Sequence, residues 1–271
     1  SGPGRLDFAA AYLRFESAFA ASRLDSEATV RINRDFDTLT LGFFSGRFGP
    51  GIRALNELTA RLGPAPASEA NARNAAASLA VRIAPPVLAF EKAEADSPLI
   101  RVESLYPFPG PPIKAEWAVE LRDGNGRTAA RIPFAVELET NGTFIREFDW
   151  PTPPRKIAPG SFEVGISAGG GFVRTGSWTV VRRSLDAVRS ANVERLSALK
   201  LDAAGVLAQA LASVRARNNL LSDAPSTGTT AQSVLDLAKL AESVGAEIDA
   251  LAAGRNPFRD RLGDVWRVIS G

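Results

Sequence analysis

Ser197-Ala198-Leu199-Lys200 sets a serine and a lysine one helical turn apart, the spacing at which a lysine can help to deprotonate a serine nucleophile. No Ser-Asp-Asn or Lys-Thr-Gly partner accompanies the pair, and Leu196 and Leu199 already account for a helix there, so a helix surface is expected. Paired carboxylates can cleave glycosides without histidine. The local candidates are Asp35 with Asp37 and Glu91 with Glu94; neither pair sits in a distinctive frame, and solvated charge is expected of both. Asp123-Gly124-Asn125-Gly126-Arg127 has the look of a calcium loop, but its glycine spacing is wrong and the closing glutamate is missing. A tight hairpin accounts for it. Asn141-Gly142-Thr143 has the form of a glycosylation sequon, and Asn-Gly is also a natural chain reversal.

Composition removes more chemistry than these motifs supply. The 271 residues contain no histidine, no cysteine and no methionine. Imidazole- and thiolate-based nucleophilic catalysis, disulfides and His- or Cys-ligated zinc or haem are therefore excluded within this chain. No catalytic, cofactor-binding or metal-binding residue is assigned. The 32 basic and 30 acidic residues leave a net charge of +2, spread along the chain. The pI near 9.2 reflects the absence of histidine rather than a basic patch. A nucleic-acid partner, which needs clustered positive charge, is not expected. No apolar run approaches the ~20 residues of a membrane span. Ser1-Gly2-Pro3-Gly4 reads as a processed or truncated end. The lack of cysteine fits an exported bacterial protein, and a secreted or periplasmic location is the expectation.

The elements that must carry any site fall into three stretches. From Arg5 to about Ala76 the spacing is helical: Leu6, Phe8, Tyr12, Phe15 and Phe19 share one face, then Val30, Ile32, Phe36 and Leu39, then Ile52, Leu55, Leu58 and Leu62. The glycine- and phenylalanine-rich segment 42–51 breaks the run. It is either an inter-helix connection anchored by phenylalanines or a loop that touches a ligand or partner through Phe44 and Phe48. From Ala77 to about Arg183 the period changes to two, as in Ile113, Ala115, Trp117, Val119 and Leu121, giving about seven strands. From Ser184 to Gly254 helical spacing returns. The expected architecture is α+β and multidomain. An antiparallel immunoglobulin-like β-sandwich (77–183) is inserted in a bundle formed jointly by helical blocks 1–76 and 184–254, with 255–271 a linker that becomes a strand. Trp117 and Trp178 fall on inward positions, whereas Trp150, beside three prolines, is expected to be exposed and is a candidate contact for a ligand or partner, carbohydrate among the options.

The stretch Asn256-Pro257-Phe258, followed by Gly263-Asp264-Val265-Trp266-Arg267, resembles the junction ahead of the catalytic domain in multidomain bacterial α/β-hydrolases of the secreted esterase or prolyl-oligopeptidase-like type. The chain has no Gly-x-Ser-x-Gly elbow and no histidine, so none of that family's catalytic residues is carried over. The resemblance implies an accessory region with a downstream catalytic domain or partner protein, one that shapes substrate access or assembly while the serine triad lies elsewhere. The alternatives are a free-standing adhesive or carbohydrate-binding protein that uses the sandwich, and an enzyme built on carboxylates or on Ser197 and Lys200.

Overall fold

A computed structural model describes residues 2–44, 46–62, 66–89, 98–150, 157–200, 205–221 and 231–258; side chains are described throughout except at 40–44 and 231–235. It is a mixed α/β protein. Its order is helices α1 (Arg5–Ala21), α2 (Ser26–Phe44), α3 (Phe48–Ala60) and α4 (Ala67–Ala77), then strands β1 (Leu79–Ala84), β2 (Val87–Ala89), β3 (Leu99–Ser104), β4 (Ile113–Arg122), β5 (Thr128–Leu138), β6 (Ile145–Asp149), β7 (Gly160–Ala168) and β8 (Gly171–Val181), then helices α5 (Leu185–Ala198), α6 (Val206–Asn219) and α7 (Ala231–Ala252). Two compact units result: residues 1–86 with 96–178, and residues 87–95 with 179–271.

In the first unit, α1–α3 pack through the apolar faces read from the sequence. Phe8, Ala11, Phe15, Ile52, Leu55 and Leu58 are buried together, and Phe36 stacks on Phe15 at 5.0 Å. The glycine-rich break is shorter than expected, because α2 continues to Phe44 and α3 begins at Phe48. Gly51 lies inside α3, where a Cβ would come within 2.9 Å of the Phe8 ring. Glycine there lets the aromatic ring lie against the helix backbone. Asp7, in the first turn of α1, accepts from the Gly4 amide at 2.8 Å and holds Arg82 of β1 through both carboxylate oxygens at 2.6 and 2.8 Å.

The strands of this unit form two antiparallel sheets. One has the order β1-β3-β6 and the other β8-β7-β4-β5. Phe134 of β5 stacks on Phe148 of β6 at 6.0 Å, and Trp178 of β8 stacks on Trp150 at 5.2 Å, so apolar side chains of the two sheets meet. β5 alternates cleanly, with Ile132, Phe134, Val136 and Leu138 buried and Arg131, Pro133, Ala135 and Glu137 exposed. Such alternation marks a strand with one solvated face. β4 departs from it. From Trp117 to Leu121 every residue is buried, including Ala118 and Glu120, which the period-two reading sets outside. The Glu120 carboxylate accepts from Arg122 at 2.7 Å and Thr128 at 2.8 Å. Burial alone pushes that carboxyl up, but these bonds and the Arg122 charge outweigh burial and hold it below the usual 4.5.

In the second unit, β2 pairs in parallel with Thr179–Val181, the end of β8. α5, α6 and α7 bury Leu196, Val214, Val244, Ile248 and Leu251 in one cluster and Leu185, Leu221 and Ala241 in another. Ser184 caps α5 by accepting from the Ala187 amide. This interior also holds Asn192, Asn218 and Glu247, and Arg217 Nε approaches Glu247 at 3.1 Å. Among the described residues, α1–α3 satisfy their apolar faces with one another and with Ala80 and Leu105, and α5–α7 do so among themselves. The strand expected within 255–271 falls on 259–271, outside the described residues.

Candidate functional site

The first unit has a cleft of about 870 Å³ walled by α1, α3, α4 and the β7–β8 hairpin. Its origin is legible in residue sizes. α1 presents Arg14, Ser17, Ala18 and Ala21, which recur at helical spacing on one face. α4 does the same with Ala70, Arg73, Asn74 and Ala77. Alanine and serine stop at or just beyond Cβ, so facing stripes of them leave space that Leu or Phe would fill. Leu13, Leu24, Leu62, Phe172 and Val173 give the cleft an apolar lining.

Its charges are unbalanced. Four arginines (Arg14, Arg23, Arg73 and Arg174) line it against a single carboxylate, Glu163, and that carboxylate already pairs with Arg174 at 2.9 Å. Arg14 is partly buried. It donates through Nη1 to the Arg174 carbonyl and through Nη2 to Asn56 Oδ1 at 2.8 Å, while its Nε is buried without an acceptor among the described residues. Desolvation lowers its guanidinium to about 10, against the raising influence of Tyr106 and Asp7. It remains a cation at neutral pH, and no carboxylate among the described residues lies within ion-pairing distance of it. Asn56 fixes this arrangement. Its Oδ1 receives Arg14, and its Nδ2 donates to Ala77 O and to the Tyr106 hydroxyl, each at 2.8 Å.

The residues singled out from sequence lie elsewhere. Trp150, expected on the surface, is 6% exposed, stacked on Trp178, and bonded through its amide to Pro98 O; prolines beside a ring do not keep it in solvent when an aromatic partner lies opposite. Phe48 packs edge-on against Phe8 in the helical core, at 6.5 Å between ring centres. The side chain of Phe44 lies outside the described residues. Trp117 and Trp178 are buried as read, and the indole of Trp178 donates to Pro85 O at 2.9 Å.

Ser197 is exposed and donates to the Val193 carbonyl of its own helix at 2.8 Å, which leaves it unactivated. Asp35 pairs with Arg61 at 2.9 Å near the surface, and Glu91 and Glu94 lie outside the described residues. Asp123 accepts from the amides of Asn125 and Arg127 at 2.9 Å, closing a hairpin in which Gly126 has φ +76°. Asn141, at φ +58°, makes the next reversal. Among the described residues no group of three or more Asp or Glu is placed to hold a metal ion, and no helix is long and apolar enough to cross a membrane. Sequence reading missed the cleft because Arg14 carries no motif. The signal that was present is the small-residue spacing on α1 and α4.

No protein family matches this chain, and no curated protein does. Among solved structures, a match is the alkylpurine DNA glycosylase AlkC of Pseudomonas fluorescens bound to DNA containing an abasic site analog. The identity is 17% and the TM-score 0.24, over 48% of this chain and 38% of that one. A likeness of that size carries no inference about fold or function.

Proposed function

We propose that the chain is a non-catalytic accessory region of a larger secreted hydrolase of the esterase or peptidase type, acting through binding and through control of substrate access. The observation that carries the non-catalytic part is the chemistry of the 870 Å³ cleft in the first unit. It contains arginines and a carboxylate already held by Arg174, with no nucleophile–base pair. The hydrolase association rests on the resemblance of Asn256-Pro257-Phe258 and Gly263-Asp264-Val265-Trp266-Arg267 to the segment ahead of such catalytic domains.

The sandwich in this reading is immunoglobulin-like. Supporting it are the order β1-β3-β6 against β8-β7-β4-β5, the parallel pairing of β2 with the end of β8, and a buried tryptophan, Trp117, on β4. The carbohydrate-binding alternative loses the contact residue that motivated it, because the Trp150 ring is covered.

The test compares p-nitrophenyl ester hydrolysis by this chain alone, by the hydrolase encoded in continuation with it, and by that hydrolase lacking residues 1–254. The expected result is no turnover by the chain alone. Removing it should change KM for bulky esters and leave kcat for p-nitrophenyl acetate within about twofold, the mark of lost binding rather than lost chemistry. Turnover by the isolated chain, or a gene that encodes no hydrolase beside it, would overturn the proposal.

A further inference from the structure

We infer that the cleft between α1, α3, α4 and the β7–β8 hairpin is a binding site for a small amphiphilic monoanion, an alkyl carboxylate, whose head group meets Arg14 and whose chain lies along the alanine-lined walls. The inference rests on the cleft alone and is independent of any hydrolase partner.

Three observations converge on it. The volume, about 870 Å³, is in the range of small-molecule pockets and far larger than packing defects in a folded interior. The walls are mostly apolar, so the body of the ligand is hydrocarbon. The charge at the bottom is positive and incomplete: Arg14 is desolvated, its two described hydrogen bonds go to neutral oxygens, and its Nε–H has no acceptor. A desolvated cation without a counter-charge is costly, and a carboxylate brought to it supplies that charge with charge-assisted hydrogen bonds. Arg174 is already partnered by Glu163, so one negative charge is what the Arg14 end of the cleft lacks. Asn56 holds the guanidinium in place through a bond that needs no rearrangement when the anion arrives.

Isothermal titration of the full chain with sodium dodecanoate tests this, beside dodecanol and dodecyltrimethylammonium as neutral and cationic probes of the same length. The expected result is one dodecanoate per chain, with the alcohol at least tenfold weaker and the cation not binding. Arg14→Gln should weaken dodecanoate at least tenfold and leave dodecanol unchanged. Ser17→Trp, which fills the mouth of the cleft from an exposed helix position one turn from Arg14, should weaken both. Circular dichroism confirms that each variant is folded; should Arg14→Gln fail to fold, Ser17→Trp with the three probes decides the matter. Absence of dodecanoate binding, equal binding of alcohol and carboxylate, or undiminished binding in Ser17→Trp overturns the inference.

Discussion

Each unit of the molecule holds a partly buried arginine, and the two are treated in opposite ways. In the helical core of the second unit, Arg217 meets Glu247, a carboxylate only 5% exposed, at 3.1 Å, and Ser243 bonds to both. In the first unit Arg14 has only a carbonyl and an amide oxygen, beside a cleft walled by alanine and serine. A cation matched in charge by its own carboxylate positions helices and has no net charge left to offer. A cation left unmatched beside open space is unfinished, and its stability is open to whatever anion arrives. Burial of charge is therefore not by itself a sign of a site. What separates structure from function here is whether the counter-charge is built in.

The comparison can be broken by mutation. The largest effect is expected for Glu247→Ala, which strands Arg217 and should cost about 3 kcal/mol, measured as a shift of the urea midpoint. Asp7→Ala, which breaks the clamp between α1 and β1, should cost about 2–3 kcal/mol, somewhat less because Arg82 keeps a second carboxylate, Glu103, at 3.5 Å. Arg14→Leu should cost no more than about 1 kcal/mol, since removing a desolvated, unpaired cation offsets the two hydrogen bonds lost. If it costs as much as Glu247→Ala, the two arginines are equivalent and the contrast fails.

A smaller effect sharpens the electrostatic account. The Glu120 carboxyl is held below 4.5 in the folded protein, so its contribution is complete above that pH and disappears as pH falls through the lower folded value. Glu120→Gln should accordingly cost about 1 kcal/mol at neutral pH, with the difference from the parent shrinking below pH 4.5 in parallel urea titrations. A constant difference across that range would remove ionisation from the explanation.

Local pattern carried much of the architecture. The hydrophobic spacing of Phe8, Phe15, Ile52, Leu55 and Leu58 identified helices that pack as read, and the alternation in β5 placed Ile132, Phe134, Val136 and Leu138 inside. β2 and β6 escaped notice: one has three residues, and in the other Ile145, Arg146 and Glu147 are exposed, so neither bears a periodic apolar signal. Within the helical stretch after Ser184, α5 ends at Ala198 and α6 begins at Val206, after Gly205 at φ +104°, a break the apolar spacing does not mark. Packing between distant segments was the weak point. Whether helical blocks share a core, or whether Trp150 finds a partner in Trp178, depends on contacts that no local window contains. The cleft was hidden for a related reason: it is a property of what is small on two helices, and small residues draw no attention in a search for apolar or reactive ones.

β5 closes one side of its sheet, and its outer rim is poorly suited to accept another chain. Pro133 has no N–H to offer, and the carbonyl of Ala135 is occupied by Arg146 Nη1 at 3.0 Å. An incoming strand would meet a missing donor and a blocked acceptor two residues apart, so ladder growth stops at this rim. At high concentration, copies of the protein are thereby kept from recruiting one another into extended cross-strand polymers along this border.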